Sequence, residues 1–173
     1  MARSVDYEAA DVLVVSEPER LRALADDLRV RIITILRERA ASTTELAEKL
    51  GLPKGTVGHH LKVLEKAGLV RVVRTRKVRA LTEKYYGRTA RLFIVKSGDE
   101  PLEGLPGAML RQAAEEAGDD ANVGLVHARL SPADARRFER RLERLLEDFR
   151  ARELPDGEPF GLVVGLYHGG SDA

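Results

Sequence analysis

Two glycines frame the stretch that most constrains the fold. In Ser42-Thr43-Thr44-Glu45 a capping serine precedes by three residues a glutamate able to answer it, and Gly51 closes the short helix so opened. Leu46, Ala47 and Leu50 form its inner face. Leu52-Pro53 then makes a turn, with Pro53 suited to the first position of a second helix that runs to about Ala67 and stops at Gly68. At about 100° per residue, Leu61 and Leu64 lie within about 40° of Val57, while Gly55, Gly58, His59, Lys62 and Lys66 turn away from that apolar side.

Two helices joined by so short a turn make a helix-turn-helix, whose second helix can enter the major groove of DNA. The outer face of Lys54–Lys66 is small and basic. Each glycine costs a helix about 1 kcal/mol, so two on one exposed face ask for a reason, and close approach to a ligand supplies one. Lys54, Gly55, Thr56, Gly58, His59 and Lys62 are the candidate contacts to bases and nearby phosphates. From Leu69 the apolar period changes to two: Val70, Val72 and Thr75 alternate with Arg71 and Arg74. A reversal near Arg76-Lys77 leads to Val78, Ala80 and Thr82, which completes a hairpin. Arg74, Arg76, Lys77 and Arg79 around its turn suit a wing lying on the phosphate backbone. Tyr85, Tyr86 and Phe93 are expected to pack rather than stack on bases.

The charge distribution agrees. Residues 1–98 carry 20 Lys and Arg against 12 Asp and Glu, a net +8, whereas residues 99–173 carry 9 against 16, a net −7. Within Lys54–Arg91, eleven basic residues face only Glu65 and Glu83. A polyanion-binding part is thus joined to a part of opposite sign. The 173 residues contain no cysteine, which removes disulfides, thiolate metal sites and cysteine nucleophiles together. His59 and His60 are adjacent, so they diverge by about 100° and cannot clasp one metal as an i, i+4 pair would. No phosphate loop or nucleophile–base pair is recognisable, so neither a catalytic residue, a metal nor a cofactor is expected.

Upstream, Ser16-Glu17-Pro18-Glu19 reads as another capping box, with a helix starting at Glu17 and broken near Asp26-Asp27 from a second one carrying Leu28, Ile32, Ile35 and Leu36. With these residues in place, Leu24-Ala25-Asp26, Arg29-Val30-Arg31-Ile32, Thr44–Leu52 and Thr56-Val57-Gly58-His59-His60-Leu61-Lys62-Val63-Leu64, followed by Ala67-Gly68-Leu69-Val70, resemble the ArsR-type winged-helix transcriptional regulators over about residues 17–86. The resemblance implies a homodimer that binds a double-stranded DNA operator, usually as a repressor released by an effector. Metal-sensing members carry cysteines on the helix that here reads Glu45–Leu50, so the effector implied is not a thiolate-bound metal. Pro53-Lys54-Gly55 also replaces the serine cap common at the start of the family's reading helix.

The rest reads differently. Lys96–Gly107 is rich in glycine and proline and reads as a linker into a helix over Ala108–Ala117. A strand-like run Val123–Leu130 precedes Ser131-Pro132-Ala133-Asp134, the cap of a long helix, and Phe160–Tyr167 forms a last strand. On the long helix Phe138, Leu142, Leu145 and Phe149 recur as a narrow seam. The expectation is therefore α+β: a winged helix-turn-helix domain over 1–97 and a small α/β domain over 98–173 for dimerisation, effector binding or both. His127, Arg129, Tyr167 and His168 are expected as sheet residues, with the lining of a small-molecule pocket as the alternative. The acidic Asp6, Glu8 and Asp11 do not read as a signal peptide, and no apolar stretch approaches the roughly 20 residues of a membrane span. A cytoplasmic protein without a membrane partner is expected. A winged helix used architecturally or for protein interaction, with little sequence preference, is the other reading.

Overall fold

A computed structural model of the chain describes residues 6–78, 81–95, 105–117, 126–154 and 157–167. The chain folds as two compact units, one running from Arg3 to Gln112 and the other from Ala113 to Ala173. The first unit thus extends past residue 97.

In the first unit the order is β1 (Ala10–Val15), α1 (Pro18–Leu24), α2 (Asp27–Leu36), β2 (Ala41–Ser42), α3 (Thr43–Leu50), α4 (Lys54–Lys66), β3 (Val70–Val78), β4 (Leu81–Arg88) and β5 (Ala90–Val95). The helix α5 (Leu105–Ala117) carries the chain across the boundary between the units. Leu21 and Leu24 of α1, Ile32 and Leu36 of α2, Leu46 of α3, and Val57, Leu61 and Leu64 of α4 are buried in one cluster with Val70 and Tyr86 of the hairpin. Burying an aliphatic side chain of this size stabilises by about 1.5–3 kcal/mol relative to exposure, so the cluster fixes the angle between the helices and the wing.

The sequence signals act as expected at most helix ends. Ser42 Oγ accepts from the Glu45 backbone N–H at 3.3 Å while the Glu45 carboxylate accepts from Ser42 N–H at 2.8 Å. Gly51 and Gly68 adopt φ of 66° and 68°, the left-handed region in which glycine is least strained. Asp26 caps α2 by accepting from Arg29 N–H at 2.9 Å. The box at Ser16 does not form: α1 begins at Pro18 with Glu17 as its N-cap, and no side chain caps it. Instead the Ser16 N–H points at the Glu17 carboxylate, 3.4 Å away. Pro53 likewise caps α4 rather than opening it, so the helix proper starts at Lys54.

Two pairings escaped the sequence. The run ending at Val15 is a strand, β1, which pairs in parallel with β5, Val12 against Leu92 and Val14 against Ile94. β2 adds two residues to the hairpin, giving the order β2-β4-β3. The hairpin is also longer than expected: β3 and β4 remain paired through Val78 and Leu81, so the chain reverses beyond Arg76-Lys77. α5 starts earlier than expected, at Leu105, because Pro106 is compatible with a first helical turn and Leu105 is buried against the core cluster.

In the second unit, Ser131 caps α6 (Pro132–Ala151) by accepting from Asp134 N–H at 3.1 Å. Of the runs expected as strands, residues 126–130 and 160–167 carry no strand pairing among the described residues, and 123–125 lie outside them. His127 and Tyr167 nevertheless meet, with Nε2 and the phenol oxygen 3.3 Å apart and the rings edge to face. Arg129 is exposed, and His168 lies outside the described residues. Among the described residues no helix is long and apolar enough to cross a membrane.

Candidate nucleic-acid interface

α4 presents one face to the core and one to solvent. Val57, Leu61 and Leu64 are buried, whereas Lys54, Gly55, Thr56, His59 and Lys62 are exposed. A Cβ built on Gly55 meets nothing within 4 Å, and one on Gly58 meets only Thr43 Cγ2 at 3.7 Å, an ordinary contact. The fold of the chain therefore does not require glycine at either place. The first turn of α4 contains no acid, so its backbone N–H groups and Lys54 present positive potential at the exposed end.

His59 and His60 diverge as their spacing demands. His59 is exposed, while His60 is half-buried with Nδ1 3.5 Å from Asp26 Oδ1, without hydrogen-bond geometry. Burial pushes the His60 imidazole below its ordinary value, Arg29 and His59 push the same way, and Asp26 opposes them. α4 is anchored at its other end by Arg20 of α1, whose Nε donates to the Ala67 carbonyl at 3.1 Å.

The wing divides its basic residues between two faces. The register shifts between Val72 and Arg74, a bulge that leaves Val72 opposite Tyr86 and Arg74 opposite Tyr85. Beyond it, Arg76 pairs with Glu83, Thr75 with Lys84, and Lys77 with Thr82. Directly opposed side chains share a face, and that face alternates along each strand. One face therefore carries Arg71, Arg74, Arg76, Glu83, Tyr85 and Gly87. The other carries Val70, Val72 and Tyr86, which pack on the helical core, and continues outward through Thr75, Lys77, Thr82 and Lys84 with no acid among them.

The first face is occupied at its base by the N-terminal segment. The Arg71 guanidinium donates to the Glu8 carbonyl at 2.9 Å, Arg74 lies 2.9 Å from the Asp6 carboxylate, and the Tyr7 ring sits over Gly87. Tyr7 also donates to the Leu36 carbonyl, and burial raises its phenol above the usual range. Arg74 additionally stacks on Tyr85, 4.5 Å from the ring centroid. Next to this strap Arg88 is buried over the Phe93 ring, donates to the Arg91 carbonyl at 2.8 Å, and is pushed down to about 10 by desolvation.

Of the residues expected at the interface, Lys54, Gly55, Thr56, His59, Lys62, Arg76 and Lys77 are exposed and Gly58 is half-buried. Arg74 is engaged by Asp6 and Tyr85, and Arg79 lies outside the described residues. Lys84 was not expected, and only the register with Thr75 brings it beside Lys77. Tyr85 and Tyr86 are buried and Phe93 half-buried, as expected of packing aromatics.

A family model described as a helix-turn-helix domain matches residues 24–73, the span from the end of α1 into β3. Residues 24–73 are a helix-turn-helix domain. Among curated proteins, the HTH-type transcriptional repressor SmtB of Mycobacterium tuberculosis is 44% identical over 52 residues, which cover 30% of this chain and 38% of SmtB. The HTH-type transcriptional regulator KmtR of the same organism is 45% identical over 56 residues, 32% of this chain and 43% of KmtR. The chain thus spans less than half the length of the curated relatives it matches. Among solved structures, HlyU from Vibrio cholerae is 28% identical, with a TM-score of 0.34 over 54% of this chain and 85% of that one. The resemblance to winged-helix regulators of this type thus rests on the helix-turn-helix, and the matched span ends within β3, before the rest of the wing.

Proposed function

We propose that this protein is a sequence-specific DNA-binding transcription regulator, a homodimer that represses its target until a non-thiolate effector releases it in the cytoplasm. The observation that carries the reading is the continuity of two uncompensated surfaces: the exposed Lys54–Lys62 side of α4 and the Thr75, Lys77, Thr82, Lys84 side of the wing, both built on the same helical core. α4 reads bases with Lys54, Thr56, His59 and Lys62, Gly55 and Gly58 let its backbone approach, and the wing holds phosphates through Lys77 and Lys84, joined from its other face by the exposed Arg76. Arg74 joins them only when Asp6 lets go. The role is binding rather than catalysis.

A fluorescence titration with duplex from the region upstream of its own gene, against scrambled duplex at one salt concentration, tests this. Lys62→Ala reduces the preference for the cognate duplex, whereas Arg76→Ala and Lys84→Ala weaken binding to both duplexes alike and lower the salt slope by about 1 each. Equal affinity for the two duplexes favours the architectural use of the winged helix. Unchanged binding by all three variants removes the assigned surface.

A further inference from the structure

We infer that α6 pairs antiparallel with α6 of a second copy of this chain, with Phe138 set against Phe149, Leu142 against Leu145, and Arg141 against Asp148. The inference deepens the dimeric reading above by naming an interface for it.

α6 is amphipathic, yet none of its residues is buried. At about 100° per residue, Ala135, Leu142, Glu143, Leu146 and Arg150, its half-buried positions, fall on one side. Phe138, Leu145 and Phe149 form a strip about 90° round from that side and remain 39%, 47% and 42% exposed. One flank of the helix is thus half-buried, with Leu142 at its edge beside the strip, while Phe138, Leu145 and Phe149 stand exposed, the Arg141 guanidinium lying 5.3 Å from the Phe138 ring centroid. The same unit also exposes Val126, Leu130, Phe160, Leu162, Val163 and Leu166.

Charge says what covers the strip. Phe138, Leu142, Leu145 and Phe149 follow the alternating four- and three-residue steps of a heptad seam. Asp134, Arg141 and Asp148 flank it on the open side. In an antiparallel pair that matches Phe138 with Phe149, the flanking positions meet each other across the seam, so Arg141 of each copy faces Asp148 of the other. Two opposite-charge pairs result, related by a twofold axis. In a parallel pair Asp134 faces Glu139, a repulsion, and Arg141 faces the apolar Leu146. The strip is therefore self-complementary in one orientation only. Two heptads are too short to hold a coiled coil alone, so the pairing draws on the apolar surface beside it as well.

The test uses charge exchange in the full chain, with dimerisation followed by sedimentation and folding checked by circular dichroism. Arg141→Asp and Asp148→Arg each place like charges across the seam and raise the dimer Kd about tenfold, and the double exchange returns it to within about threefold of the parent. The absence of cysteine permits a second readout. Chains carrying Phe138→Cys and Phe149→Cys, mixed and oxidised, cross-link to each other, while Phe138→Cys alone does not cross-link to itself because the two sites lie about 16 Å apart along the paired helices. A monomeric parent chain, single exchanges without effect, a double exchange no better than either single one, or a 138–138 cross-link each overturns the pairing. The duplex titrations of Lys62 and Arg76 variants read on the first unit, so loss of DNA binding with intact charge exchange refutes the regulator and not the pairing, and the reverse outcome refutes only the pairing.

Discussion

The carboxylate of Asp6 lies 2.9 Å from a guanidinium nitrogen of Arg74, tying the N-terminal segment to the strand that carries the wing. The other oxygen of Asp6 accepts from the Ala40 N–H at 2.7 Å, so one side chain pins the segment to both the wing and the end of the helical layer. Asp6→Asn keeps the amide acceptor and removes the charge. Arg74 is half-exposed, so little stability is lost. The freed cation instead becomes available to phosphate: duplex affinity at low salt should rise about two- to threefold, and the slope of log K against log salt should steepen by up to about 1. An unchanged slope in the salt titration would show that Arg74 never reaches the backbone.

Gly87 lies under the Tyr7 ring, and a Cβ there would stand 2.8 to 2.9 Å from three ring carbons. The ring is held by its hydrogen bond to the Leu36 carbonyl and cannot swing aside freely. Gly87→Ala should therefore cost about 1–3 kcal/mol in urea unfolding, the range of core overpacking. On a Tyr7→Ala background the same substitution should be nearly neutral, and a double-mutant cycle that shows no coupling would refute the contact.

The strap marks the limit of what the sequence made legible. The capping box at Ser42, the left-handed glycines at 51 and 68, and the apolar spacing of Val57, Leu61 and Leu64 are local signals, each satisfied within a few residues, and each forms as read. The alternation Val70, Val72, Thr75 even skips a residue where the bulge falls. Pairing of β1 with β5 joins segments some 80 residues apart and leaves no local trace, and the capture of Arg74 by Asp6 follows from it. Counting basic residues likewise could not divide the wing by face. That required the register, which sets Arg76 beside Glu83 and leaves Lys77 and Lys84 without an acid among the strand residues on their own face. In the second unit short apolar runs near Val126 and Phe160 read equally well as strand or irregular backbone, and periodicity alone does not separate them.

His60 links the reading helix to the cap of α2, and its imidazole is held below the ordinary 6.5 chiefly by burial. The folded state therefore prefers the neutral ring, and the unfolded chain takes up a proton first as pH falls. Its contribution to stability is complete above about 6.5, declines as pH drops through the window between that value and the lower folded one, and is constant below it. Thermal unfolding at a series of pH values should show Tm falling across this window, and His60→Gln should flatten that part of the profile. A variant whose pH profile parallels that of the parent would assign the dependence to other groups.

Gly55 separates stability from function at the interface. With nothing within 4 Å of a Cβ built there, alanine fits the folded chain without strain, and an exposed helical glycine-to-alanine change gains about 0.5–1 kcal/mol. A purely structural glycine in this position would thus be a defect that the chain tolerates. If it is kept so that the backbone of the first turn of α4 can lie against a base edge or phosphate, Gly55→Ala should raise the urea midpoint and at the same time weaken cognate duplex binding by about tenfold, the usual effect of one lost specific contact. Substitution at Gly58 behaves differently: the added methyl meets Thr43 at ordinary contact distance, so it gains packing as well as propensity. A Gly55→Ala protein that is both more stable and fully active on the cognate duplex would place the DNA farther along α4, toward His59 and Lys62.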